Sequence, residues 1–302
     1  MWFLPALITL LAWGTADLFY KIGNNERDPH SALKTVIMVG LVMGLHAIGY
    51  YGLYAGVQYD WHNLILYLPV SSMYILSMAV GYFGLRYIEV SISSPISNSS
   101  GAFVVLLSFF FMHGNMAPLQ WLAVIIILLG MLLLGIFEKQ AADAEMLAHG
   151  EKVDRRYRLS AIAIIFPIVY ALLDALGTFF DGVYLDYKKI LPEDQANMSY
   201  ELTFFLVGIL VWLYLAFIKK ETVNIFKERA KGLAAIFETL GQFFYVGAMS
   251  GKSIIAAPMI ASYSIVSVIL ARIFLKEKLS TKQYITIGFI MLAIAILGFY
   301  DA

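Results

Sequence analysis

Ten stretches of mainly apolar residues, each roughly 20 long and set off by polar breaks, constrain this chain more than any other feature. They lie near 2–21, 34–55, 63–86, 91–112, 117–137, 159–180, 199–218, 232–250, 253–273 and 281–300. As helices rising 1.5 Å per residue, such runs match the thickness of the hydrocarbon core. Of the 302 residues, 61% are hydrophobic and 14% charged, more apolar surface than a soluble domain of this size could cover. The expected fold is therefore an all-α integral membrane protein of ten transmembrane helices. The first run, from Met1-Trp2-Phe3-Leu4-Pro5, lacks a basic leader and a small-residue cleavage pattern, and is read as a retained span.

The polar stretch Glu138 to Arg158 divides the runs five and five, giving a first unit 1–137, a connection 138–158 and a second unit 159–302. Leu85-Arg86-Tyr87-Ile88-Glu89-Val90-Ser91-Ile92-Ser93-Ser94-Pro95-Ile96 overlays Ala248-Met249-Ser250-Gly251-Lys252-Ser253-Ile254-Ile255-Ala256-Ala257-Pro258-Met259 at an offset of 163. Trp13 and Asp17 fall on Tyr170 and Asp174 at an offset of 157. Because five is odd, the second copy must cross in the opposite sense, which makes the units two inverted five-helix repeats (5+5). That architecture encloses a midplane site between rocking halves in transporters. Connections 1–2, 3–4, 5–6, 7–8 and 9–10 together hold 18 Lys and Arg, against 3 on the opposite side. The positive-inside rule places the rich side, with the 138–158 connection, in the cytoplasm and both termini outside a cell membrane.

Other chemistries find little support. Net charge is zero, with 21 basic and 21 acidic residues, which argues against nucleic acid as a partner. No cysteine is present, which removes thiol chemistry and Cys-based metal sites. The five histidines His30, His46, His62, His113 and His149 are scattered, and none forms the helical His/Glu arrangement of a zinc hydrolase. Gly251-Lys252-Ser253 lacks the earlier glycine and the strand of a phosphate loop, so no ATPase is expected.

Trp13-Gly14 in the first run, Pro95 and Pro258 after small-residue stretches in the fourth and ninth, and Leu275-Lys276-Glu277-Lys278-Leu279-Ser280 followed by Tyr284 and Gly288 resemble the EamA branch of the drug/metabolite transporter superfamily. The first copy departs from the second in having Gly114 opposite Glu277. The resemblance covers essentially the whole chain and implies transport of a small molecule.

Acidic groups inside apolar spans cost several kcal/mol unless paired or wetted, so each is a candidate for function. Asp174 has Tyr170 one turn before it and no basic residue within helical reach; its bland reading is a carboxyl satisfied by neighbouring hydroxyls. Asp17 has Trp13 one turn before and Lys21 one turn after, so an ion pair along the helix competes with a site role. Glu238, Gln242, Tyr245 and Met249 form one polar stripe, with Lys231 seven residues away and also near that face, so snorkelling toward the interface competes with a cavity role. Tyr74, Ser77 and Tyr82, then Asn98 and Ser99, then Tyr263 and Ser264 could complete a lining. Bridging between helices competes for the serines and Asn98, and an interface belt for Tyr82 and Tyr245.

The expected substrate-binding set is Trp13, Asp17, Tyr74, Tyr170, Asp174, Glu238, Gln242, Tyr245 and Tyr263, with no catalytic and no metal residues. Acids among aromatic faces suit a cationic or amine-bearing metabolite, moved by a secondary carrier rather than transformed by an enzyme. Partners are then a small-molecule substrate and the lipid bilayer. No cofactor is expected, although one acid could carry a coupling proton. Neutral or zwitterionic metabolites such as amino acids are the rival substrates, and an intramembrane enzyme acting on lipid-linked groups is the rival class.

Overall fold

The computed structural model describes residues 2–23, 28–84, 100–112, 116–148, 165–274 and 279–299. Pro95, Asn98, Ser99, Glu277, the side chain of Tyr82 and the central connection beyond Ala148 lie outside the described residues. In lipid every backbone polar group needs an internal partner, and the described residues form helices and turns with no strand. In chain order these are α1 (Phe3–Gly23), α2 (Ser31–His46), α3 (Leu68–Gly84), α4 (Ser100–Met112), α5 (Pro118–Ala148), α6 (Ile165–Gly182), α7 (Glu193–Leu213), α8 (Arg229–Ala261), α9 (Ser264–Phe274) and α10 (Thr281–Phe299). Wide π turns extend α2 to Tyr54, α6 to Tyr187 and α7 to Ile218.

Among the described residues, six segments are long and apolar enough to cross a membrane: Phe3–Gly23, Ser31–Tyr54, Pro118–Phe137, Ile165–Tyr187, Glu193–Ile218 and Arg229–Phe274. Leu68–Val80, Ser100–Met112 and Thr281–Leu297 are shorter apolar helices. Phe110, Leu129, Leu210 and Phe289 point outward where a soluble protein would place polar groups. The chain is a multi-pass membrane protein.

The helix α7 begins at Glu193, six residues ahead of the apolar run that marks it in the sequence. Asp194 and Glu193 favour its positive end, and the polar residues that follow, Asn197 and Ser199, are buried against protein rather than exposed to lipid. In α8, Lys252 leaves helical geometry (φ −155°, ψ 73°), which divides the element at the boundary expected between the eighth and ninth runs. Asp186 accepts from the Ser253 backbone N–H at 2.8 Å and from its hydroxyl at 2.9 Å, satisfying the first orphan donor of the new helical stretch. A second interruption falls at Ser262 and Tyr263, between α8 and α9. Pro258 is itself inside the helical stretch.

Packing runs largely between early and late helices. Among the described residues α1 packs most extensively on α8, α2 on α7, α3 on α6 and α5 on α10. Smaller contacts join α1 to α9, α4 to α6, α2 to α8, α3 to α7 and α4 to α8. Lipid tails give no hydrophobic drive to helix association, so close approach of small residues matters. A Cβ on Gly40 would lie 2.5 Å from the Phe204 carbonyl oxygen, and one on Gly208 would lie 3.2 Å from the Gly40 Cα. The α2–α7 crossing therefore needs glycine at 40 and leaves little room for a side chain at 208.

Polar groups fasten each end. The Lys34 ammonium joins Asp28 (2.7 Å) to Glu221 (2.5 Å), and the His30 ring nitrogen lies 2.5 Å from Glu221, linking the connection before α2 to the one after α7. The Lys34 hydrogen bond, with His30 adding to it, holds the Glu221 carboxyl below its ordinary range. Asp28, His30 and Glu221 could by spacing hold a metal, but the Lys34 ammonium already bridges the two carboxylates. Elsewhere, Tyr59 meets Ser199 (2.8 Å) and Asn63 donates to Gln195 (2.9 Å), while Ser250 donates to Glu193.

Candidate transport site between early and late helices

Where α1 crosses α8, Gly241 presents bare backbone to the Trp13 indole: a Cβ there would lie 2.3 Å from Trp13 Cδ1. The indole Nε1 donates to the Glu238 carbonyl oxygen (3.2 Å), and Thr9 donates to the Gly241 carbonyl oxygen (3.0 Å). Trp13 then lies against the Tyr245 ring (centroids 5.1 Å apart) and meets the Tyr263 ring edge-on (6.0 Å). Tyr263 belongs to the interruption before α9, so the break carries an aromatic side chain toward α1.

The acids collect around this aromatic corner. The Tyr263 phenol has Asp17, Tyr170, Asp174 and Glu238 as electrostatic neighbours, and Asp17 is in turn the charged neighbour of Glu238. All of Trp13, Asp17, Tyr170, Asp174, Glu238 and Tyr263 are only half-buried. Asp17 has the Ser267 hydroxyl of α9 as a neighbour, with Lys21 as the nearby cation. Asp174 has that of Ser100 on α4. Lys231 does not serve Glu238: it is buried and pairs with Glu228 at 2.5 Å. Asp174 thus has one hydroxyl beside it and stays half-buried, so that hydroxyl does not cover it.

Gln242 and Tyr245 are buried on the same stripe of α8, each 2% exposed. Tyr245 sits in the core rather than in an interface belt, with its hydroxyl 2.8 Å from that of Tyr74. The Gln242 Nε2 finds no hydrogen-bond partner among the described residues. The nine residues expected to line a site are in this way brought to one region, with Gln242 and Tyr245 buried behind the other seven, which are half-buried.

Three features escaped the sequence reading. Asp181 is fully buried and bonded by Tyr67 and Tyr74. It lies just past the apolar run ending near 180, but α6 and its wide turns continue to Tyr187, which carries it inside. Its spacing of seven from Asp174, two turns along one helix face, was the available signal. Glu201, also fully buried, meets His46 Nδ1 at 2.8 Å and 2.9 Å, an acid–imidazole pair between α7 and α2 that no spacing within one helix reveals. Ser100 and Ser267 are hydroxyl partners whose role appears only once α4 and α9 are placed.

The sequence pattern of the EamA-like transporter family matches residues 1–136 and again residues 160–299. The chain belongs to this family. Both matches of the EamA pattern together take in every described helix except the end of α5, which runs beyond residue 136. A solved protein crystal structure superposes on 97% of this chain and 95% of its own, with a TM-score of 0.72 at 14% identity, a likeness of fold alone. No curated protein matches the sequence.

Proposed function

We propose that this EamA-family protein is a secondary carrier of small cationic or amine-bearing metabolites, working by alternating access around the site between its two halves. The observation that carries this reading is the meeting of three half-buried carboxyls, Asp17, Asp174 and Glu238, with the aromatic faces of Trp13, Tyr170 and Tyr263. Carboxylates neutralise a cation and aromatic faces attract it, most strongly where water is scarce.

Ten spans in two inverted units, 1–137 and 159–302, fit the packing. Advancing every helix number by five, with return to the start after ten, turns α1–α8 into α6–α3, α1–α9 into α6–α4 and α2–α8 into α7–α3. Each product is a contact that occurs, and α2–α7 and α5–α10 map onto themselves. The same exchange turns Asp17 beside α9 into Asp174 beside α4, each acid having a serine of that helix as a neighbour, Ser267 and Ser100, although the offset of 163 does not align the two serines. Rocking one unit against the other would open these two acid–hydroxyl pairs in alternation, one toward each side.

On this reading the Lys- and Arg-rich end, with the 138–158 connection, faces the cytoplasm of a cell membrane, and both termini lie outside. Reporter fusions after residue 302 are expected to report an external location, and fusions between 138 and 158 a cytoplasmic one; the reverse result overturns the orientation.

The substrate class is tested by melting the purified protein with amines, amino acids, nucleosides and sugars. A ligand at a hundred times its dissociation constant stabilises the folded state by about 2.7 kcal/mol. Amines are expected to raise the melting temperature, and a shift from sugars alone ends the cation reading. The buried, unpartnered amide of Gln242 supports a second reading, a zwitterionic amino acid whose carboxylate accepts from Nε2. Amino acids should then outperform their decarboxylated amines.

A further inference from the structure

Beside the half-exposed acids lies one carboxyl that no solute reaches directly. Asp181 and Tyr67 are each 0% exposed. Tyr67 donates to Asp181 Oδ1, and Tyr74 donates to Oδ2 at 3.0 Å. A phenol has one proton to give, so with that proton spent on Asp181 the Tyr74 oxygen is left as an acceptor. It has two hydroxyls within reach to donate to it, Tyr245 at 2.8 Å and Thr178 at 2.9 Å. The hydrogen bonds of this cluster therefore all run toward Asp181.

The titratable and charged surroundings are few. From the segment of α3 come Tyr67 and Tyr74, from α8 Tyr245, and from α7 Tyr200, whose ring meets Tyr74 edge-on at 5.7 Å. On its own element Asp181 has Asp174 two turns before it, Tyr184 against Tyr67, and Asp186 engaged by Ser253. None of the ion pairs among the described residues includes Asp181. A buried carboxylate without a cation is stabilised by its hydrogen bonds alone, and the alternative is to take up a proton.

We propose that Asp181 is a proton-binding site reached through the Tyr74 hydroxyl, and that its protonation state sets the direction of the Tyr74 and Tyr245 hydrogen bonds behind the transport site. Tyr74 is half-buried, which places it between the sealed acid and the site. A proton arriving at the Tyr74 oxygen forms a new O–H bond as the existing phenolic O–H breaks and its proton passes to Asp181 Oδ2, so Tyr74 stays neutral and the carboxylate takes up the one proton. The carboxyl O–H then donates back to Tyr74, and Tyr74 turns its own proton to Tyr245. Tyr245, packed on Trp13, thereby changes from donor to acceptor, and the aromatic wall of the site registers the proton. This rests on the carrier reading for its purpose but not for its chemistry.

The test is infrared difference spectroscopy of the full-length protein in lipid nanodiscs, stepped between about pH 9 and pH 5, a range that brackets a carboxyl displaced from its usual value. The probe is the proton itself. Wild type is expected to gain a protonated-carboxyl C=O band of which Asp181→Asn loses a distinct component. Tyr74→Phe, which removes one hydrogen bond to that carboxyl, is expected to shift the frequency of the same component. An identical band in Asp181→Asn overturns the proposal. Should that variant fail to fold, an unshifted band in Tyr74→Phe overturns it instead. The amine-induced melting shift of wild type is read separately, so a failed carrier reading and a failed proton site give different results.

Discussion

Asp174→Asn is expected to reduce transport by about one to two orders of magnitude while leaving the melting temperature of the purified protein close to that of wild type. The amide is nearly isosteric and can still accept from Ser100, so the α4–α6 contact survives. What disappears is the charge. A hydrogen bond to a charged group contributes roughly 1.5–3 kcal/mol, and each 1.4 kcal/mol is tenfold in affinity. The solute to use is the one that most raises the wild-type melting temperature, followed in proteoliposomes. If transport persists, or if the variant fails by unfolding, Asp174 is a packing group and the site lies elsewhere.

A second large effect is expected from Gly241→Val. The first carbon alone would sit 2.3 Å from Trp13 Cδ1 and 2.5 Å from Nε1, and the indole is a rigid body that cannot give way by a rotamer change at its tip. Either α1 moves off α8 or Trp13 swings out, losing its bond to the Glu238 carbonyl and its face against Tyr245. Overpacking of this kind costs about 1–3 kcal/mol, occasionally more. Trp13→Leu in the same chain should recover much of that stability and none of the transport. Thermal unfolding of both single variants and the double variant measures the coupling. Additive losses would show that Trp13 and Gly241 do not share the contact that builds the aromatic corner.

Much of this was legible in the residues and some could not be. Apolar run length located the helices because the bilayer demands both length and internal hydrogen bonding, and the offset between copies located Asp17 and Asp174 as counterparts. The polar start of α7 was invisible to the same criterion, since Asn197 and Ser199 face other helices rather than lipid. Lys252 marks a boundary in both sequence and structure, while the break at Ser262 and Tyr263 has no composition signal of its own. Within the site, Asp17, Asp174 and Glu238 were found well inside apolar runs, whereas Asp181 falls just past one and Glu201 at the very start of another. Asp181 and Glu201 were passed over because their partners, Tyr67 and His46, lie more than a hundred residues away in sequence, and partnership across helices is written only in three dimensions.

The habit of early helices to pack on late ones has a bearing on biosynthesis. Among the described residues the extensive contacts join α1 to α8, α2 to α7, α3 to α6 and α5 to α10, so few of them can close until the second half of the chain has left the ribosome. Contacts so distant in sequence slow assembly, and they leave the first helices waiting in the lipid with their partner faces uncovered. Gly40 and the face around Trp13 would be open in that interval, available to insertion machinery or to a mistaken neighbour. A nascent chain halted after α5 is thus an unfinished set of interlocking parts rather than a small domain, and two separately synthesised halves should find each other in the membrane by the same surfaces.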